Sequence, residues 1–287
     1  MPPSRARVVV RAVRAAHARS RAPQRVLVTG GASGIGRGIV DAFVRRGDRV
    51  AYVDVARAGS TLGFGDGAAD DAAATAPPGA TFVACDVADA AQVPRAVGEA
   101  LAALGGLDVL VNNAGAHVDA GVPCHRASAA AFDRMVAINL RAPFLFARGC
   151  LRAAFVPQRA GVIVNVGSVH AYQSAPGLAA YSACKGGVAA LTRQLAVEYA
   201  PHVRVNCVVP GTINTPMNRG FMEEADERSD RSPFGRWGTP DEVAQVVLFL
   251  ASDAASFVSG ESVACDGALL AKGAWADNER PGLAEAR

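Results

Sequence analysis

The chain has 287 residues, 51% of them hydrophobic and 19% charged, which is enough apolar material for a substantial core and excludes a disordered chain. No run of 18 uncharged apolar residues occurs, so a membrane span is not expected. The net charge of +3 is too small to indicate a nucleic-acid partner, and its excess is local: residues 1–25 hold seven arginines, no acid and no interleaved aromatics.

Residues 1–24 read as a disordered Arg-rich extension ahead of the first strand. An organelle-targeting peptide, a plain tail and a misassigned start all fit; targeting is not favoured, and a cytoplasmic location is expected. The six cysteines, at 85, 124, 150, 184, 207 and 265, form no CxxC pair, and they read as reduced thiols. The five histidines are scattered, so no metal site is expected.

From Arg25 onward, strand and helix patterns alternate. β-branched apolar runs predict strands at Val26–Val28, Val50–Val53, Phe82–Ala84, Val109–Val111, Val162–Val166, Val203–Val209 and Ser262–Cys265. Helical spacing fills Ile35–Arg46, Ala90–Leu104, Phe132–Phe155, Ala179–Tyr199 and Asp241–Ala251. Thr239-Pro240 followed by Asp241 and Glu242 is a helix start: a capping hydroxyl, a proline in the first turn and acids near the positive end. Residues 56–78 and Met217–Arg236 read as loops, and 273–287 as a C-terminal tail. The alternation implies an α/β fold with a mostly parallel sheet covered on both faces.

The first strand ends in Thr29-Gly30-Gly31-Ala32-Ser33-Gly34-Ile35-Gly36. A glycine-rich turn between strand and helix lets the backbone approach a pyrophosphate, and the helix N-terminus attracts its charge. The spacing is GxxxGxG rather than GxGxxG. Asp54, closing the second strand, suits the adenosine ribose hydroxyls and would repel a 2′-phosphate, so NAD is expected over NADP; Arg57 nearby would soften that discrimination. Asp86, after the third strand, either meets an adenine amino group or caps a turn.

Tyr181 and Lys185, four apart, fall on one helix face. A free phenol, with a pKa of about 10, is a poor base near neutrality, and an adjacent ammonium lowers it. Lys185 is one of only two lysines, so its survival in an Arg-biased chain marks a position that needs an ammonium. Ser168, just past the fifth strand, can donate to a substrate oxygen as negative charge develops.

Taken together, Thr29–Gly36, Asn112-Asn113-Ala114-Gly115, Asn139, Ser168, Tyr181, Lys185, Pro210-Gly211 and Thr215 resemble, in order and spacing, the short-chain dehydrogenase/reductase family over about residues 25–267. The resemblance implies a single Rossmann-type, doubly wound domain over residues 25–272, with a seven-stranded parallel sheet and helices on both faces. It implies that Tyr181 is the acid/base, Ser168 polarises the substrate oxygen, Lys185 holds the nicotinamide ribose, and Asn139 fixes a relay water. Cofactor contacts would come from Gly30, Ser33, Gly34, Ile35, Gly36, Asp54, Asp86, Val87, Asn113, Ala114, Gly115, Tyr181, Lys185, Pro210, Gly211, Ile213 and Thr215. It also implies a homotetramer or homodimer through the two long helices. Cys184 and Ala268 depart from the family's usual residues.

The implied chemistry is hydride transfer between NAD(H) and a small-molecule secondary alcohol or ketone. Residues 116–118, the segment after Ser168 and the 217–236 loop would line the pocket, with His170, Gln173, Asn214 and Met217 as substrate candidates. Three of these four are polar, which suits a sugar or polyol. The family that the chain resembles also includes 3-oxoacyl carrier-protein reductases and hydroxysteroid dehydrogenases. The former carry interface arginines where this chain has Leu145 and Val197. An NAD-sensing regulator without catalysis is the non-enzyme alternative; it would not need Ser168, Tyr181 and Lys185 together.

Overall fold

Seven runs of β-branched and apolar residues pair side by side, all parallel. They are β1 (Arg25–Thr29), β2 (Arg49–Asp54), β3 (Ala80–Ala84), β4 (Val109–Asn112), β5 (Gly161–Val166), β6 (Val203–Pro210) and β7 (Ser262–Cys265). The strand order is β3-β2-β1-β4-β5-β6-β7, the doubly wound arrangement. The computed structural model describes residues 22–55, 79–118, 121–218 and 232–272. Most of the Arg-rich extension, the 56–78 loop with Arg57, most of the 217–236 loop and the 273–287 tail lie outside the described residues.

Side chains alternate across the sheet with period 2, and two cores result. On one face Val26, Val28, Val50, Val109 and Val111 pack against α1 (Gly34–Arg45) and α5 (Pro240–Ala251) through Ile39, Phe43, Val243 and Leu250. On the other, Leu27, Val53, Leu110 and Ile163 meet α2 (Val93–Leu104), a long helical segment over 129–158 (α3) and α4 (Ala179–Glu198). Every element predicted among the described residues is present. Among these residues, no helix is long and apolar enough to cross a membrane.

Two details differ from expectation. Helix α2 begins at Val93 rather than Ala90, because Asp89 accepts the Ala91 N–H (2.9 Å) and holds residues 89–92 in a turn, with Pro94 in the helix's first positions. Helix α3 begins earlier, at a Ser128 side chain that accepts the Ala131 N–H, and is interrupted by π turns at Ala137–Arg141 and Leu151–Phe155. Pro143 and Pro157 follow these turns; a proline lacks the N–H that would continue the ladder, and the wider turn absorbs the missing donor.

Because all strands run the same way, Thr29, Asp54, Asn112, Val166 and Pro210 end at one edge of the sheet. The loops that follow them form the crevice where ligands bind in such folds.

Candidate active site

The glycine turn is built by close backbone approach. Gly30 and Gly34 have left-handed φ of 67° and 52°. A Cβ on Gly30 would sit 2.8 Å from Ala114 Cα, and one on Gly36 would collide with the Gly30 carbonyl oxygen and the Asn113 amide. Asn113 Nδ2 donates to the Thr29 and Gly30 carbonyls (3.0 and 2.9 Å), and the Thr29 hydroxyl accepts the N–H groups of Asn113 and Ala114 (3.0 Å each). This lattice clamps the turn onto the end of β4. Helix α1 has no side-chain cap from Ser33 and no acid in its first turn. Its amides and positive end therefore face the crevice uncompensated, as a pyrophosphate requires. Thr215, nearly buried, lies against Gly34, where an added Cβ would be 3.4 Å from its side chain. Gly211 donates its N–H to the Cys265 carbonyl (3.1 Å), which fastens the 210–215 segment to β7.

Asp54 accepts the N–H groups of Ala32 and Val55, both at 2.9 Å. It thereby supports the glycine turn from behind and keeps lone pairs free for a ribose. Burial pushes its carboxyl up, and the two backbone N–H groups oppose that. Asp86 is otherwise engaged: it accepts the Ala88 N–H (2.9 Å) and pairs with Arg134 (3.2 Å). Of the two roles considered for it, the turn-capping one is occupied. The Val87 side chain is packed in the core, so only its backbone can face a cofactor. Ile35 and Ile213 likewise pack inward.

The reactive group of residues gathers at the end of β5. Lys185 is only 4% exposed, and its Nζ donates to the Val166 carbonyl (2.9 Å) and lies 5.5 Å from the Tyr181 ring centroid. A Cβ on Gly115 would be 3.1 Å from Asn139 Oδ1 and 3.7 Å from Lys185 Nζ, so Asn139, Gly115 and Lys185 crowd one point. Asn139 sits in the first π turn of α3; its amide bonds to both the N–H and the carbonyl of Ala116 (3.2 and 2.9 Å) and to the Met135 carbonyl. Ser168 is buried, and its Oγ accepts the His170 N–H (3.2 Å).

Two histidines flank Tyr181. The His117 ring lies 4.1 Å from the phenol ring, tilted 55°, and His170 lies 6.1 Å away, edge-on. Residues 116–118 were expected in the pocket wall, but His117 was not singled out, since nothing local in sequence predicts that stacking. Gln173 lies near His170 at partial exposure, whereas Asn214 and Met217 are exposed. Burial pushes the His170 pKa down, opposed by hydrogen bonding toward the Gln173 backbone. His117 is pushed down to about 4, first by burial and then by the charges of Lys185 and His170.

That shift has a pH consequence. The folded-state pKa of about 4 lies below the ordinary 6.5, so between these values the unfolded chain binds a proton that the folded chain refuses. Stability contributed by neutral His117 is complete above pH 6.5 and is lost as pH falls toward 4. His117→Phe keeps a ring against Tyr181 and is expected to remove up to about 3 kcal/mol of acid sensitivity. Urea midpoints near pH 7 and about pH 5 measure it; an equal drop in wild type and variant would contradict the assignment.

Comparison with known proteins agrees with this geometry. A family described as Enoyl-(Acyl carrier protein) reductase matches residues 30–269. The chain is 38% identical over 257 residues to 2-(S)-hydroxypropyl-CoM dehydrogenase 3 of Xanthobacter autotrophicus, covering 86% of this chain and 96% of that protein. It is 41% identical over 251 residues to cis-4-hydroxycyclohexanecarboxylate dehydrogenase of Sinomonas cyclohexanicum, covering 85% and 96%. Among solved structures it resembles ligand-free aldohexose dehydrogenase of Thermoplasma acidophilum, with a TM-score of 0.76 and 29% identity over 90% of this chain and 98% of that one.

Proposed function

Because the chain belongs to the short-chain dehydrogenase/reductase family and is an oxidoreductase acting on CH–OH groups, we propose that residues 25–272 bind NAD and interconvert a secondary alcohol and its ketone. The observation that carries the reading is the buried Lys185 ammonium beside the Tyr181 ring at the mouth of the β5 loop. Bound NAD would supply the hydride acceptor in oxidation and, reduced, the donor in reduction.

The chain's own residues handle the proton. Tyr181 takes the carbinol proton in oxidation and returns it in reduction. Lys185, held in place by the Val166 carbonyl, presents its ammonium 5.5 Å from the Tyr181 ring centroid. The same charge opposes protonation of His117, which keeps that ring neutral beside the reacting centre. Ser168 donates its hydroxyl hydrogen to the substrate oxygen while its lone pair keeps the His170 N–H. Asn139 positions the 115–116 backbone beside Lys185, and the family resemblance would give it the relay water.

NAD is favoured over NADP because Asp54 stands where a 2′-phosphate would bring like charge. NADH is expected to bind about tenfold more tightly than NADPH in parallel fluorescence titrations. Asp54→Ser should narrow that gap; equal or tighter NADPH binding by the wild type would overturn the preference. We place the enzyme in the cytoplasm as a homotetramer or homodimer. A half-exposed apolar face on α3 and α4, formed by Val136, Leu140, Phe144 and Leu191, suits a second copy.

A further inference from the structure

Beside Tyr181 the crevice continues into a recess that none of the polar candidates reaches. It lies between residues 117–118 and 122–127, the start of α3 and the 177–181 turn. Its walls are Val118, Val122, Phe132, Met135 and Leu178, and Tyr181 and His117 form the edge nearest the reacting centre. Among the described residues no carboxylate, ammonium, guanidinium or amide side chain lines it; beside the Tyr181 phenol stands the His117 ring, which is neutral above a pKa of about 4. The remaining wall is glycine, alanine and the Cys124 thiol.

We propose that this recess receives the non-reacting part of the substrate, and that this part is a compact apolar ring or branched chain of about six carbons. The inference rests on the carbinol chemistry proposed above and specifies its substrate class. The size argument is direct. The recess encloses about 140 Å³, and an apolar cavity of about 150 Å³ accepts a benzene-sized ring. The polarity argument points the same way. Each hydroxyl of a polyol placed there would lose water without gaining a partner, at about 1–3 kcal/mol apiece. A ring or branched alkyl group gains about 0.8 kcal/mol per buried CH₂ instead. The polar residues His170, Gln173 and Asn214 are not among the residues that line it.

Cys124 supplies a reporter independent of turnover. It lines the recess and is the exposed one of the six thiols. Two measurements on the whole protein test the proposal. In the first, kcat/KM with cyclohexanol is compared with that for propan-2-ol and for a linear polyol. Wild type should prefer cyclohexanol by about tenfold or more, and Val122→Trp, which fills the recess, should erase that preference. Ala131→Leu, a smaller filling change, serves if the tryptophan variant does not fold. In the second, iodoacetamide labelling of Cys124 is followed by peptide mass with and without cyclohexanone. Cyclohexanone should slow labelling about threefold or more in wild type but not in the filled variants. If no alcohol is turned over yet cyclohexanone protects Cys124, the recess assignment stands and the catalytic reading fails. If polyols are turned over while cyclohexanol neither reacts well nor protects Cys124, the catalytic reading stands and this inference is overturned.

Discussion

Tyr181→Phe should lower kcat for alcohol oxidation by about 10³-fold while leaving NAD affinity within about twofold. The substitution deletes one oxygen. The phenylalanine ring keeps the 4.1 Å contact with His117 and the position 5.5 Å from Lys185 Nζ, so the local packing has no reason to collapse. What disappears is the phenol oxygen that stands beside the buried Lys185 ammonium. Stopped-flow absorbance of reduced nicotinamide, with NAD binding measured separately by calorimetry, separates the two effects. A variant retaining a tenth or so of wild-type turnover would assign the proton to another group, the neighbouring His117 and His170 rings being the alternatives.

The second large effect is expected at Gly36, where the added methyl of Gly36→Ala has nowhere to go. It would enter the space of the Gly30 carbonyl and the Asn113 amide, which are backbone and a side chain already committed to the Thr29 and Gly30 carbonyls. Relief requires α1 to move off the sheet, which spoils the amide cradle at its N-terminus. The expected outcome is loss of measurable NADH binding and a fall in stability of roughly 1–3 kcal/mol. Gly98→Ala is the matched control. It lies on the exposed side of α2 with nothing within 4 Å of an added Cβ, and it should be neutral or stabilising by about 0.5–1 kcal/mol. Urea unfolding and NADH fluorescence titration of both variants measure this difference. Equal behaviour would mean that the turn is not built by the close approach described.

Much of this architecture was legible in sequence because the sheet is parallel and buried on both faces. Stretches such as Val26–Val28 and Val109–Val111 read as unbroken apolar runs, and β7 was located to the residue. Tyr181 and Lys185 were legible because a four-residue separation has one meaning on a helix. Other features depend on contacts between distant segments. The π turn that delivers Asn139 to Ala116 has no local pattern beyond a following proline. His117 acquires its low pKa first from burial and then from Lys185 and His170, which are 68 and 53 residues away in sequence. Asp86 offered two roles in sequence, and the partner that occupies it, Arg134, comes from a helix not adjacent in the chain. The polar substrate candidates were read from the loops after β5 and β6, whereas the apolar recess is formed by residues 117–118 and 122–127 and α3, which were not read as pocket walls beyond residue 118.

The central claim is that hydride and proton leave one carbinol carbon and its oxygen together, with Tyr181 and Lys185 managing the proton. It is tested most directly with a secondary alcohol carrying deuterium on the carbinol carbon, such as 1-deuterocyclohexanol, incubated with the enzyme and NAD. The account predicts ketone and reduced nicotinamide in equal amounts, with the deuterium on the nicotinamide ring. Tight NAD binding with no labelled nicotinamide from any secondary alcohol tested, or label released to water, would contradict it.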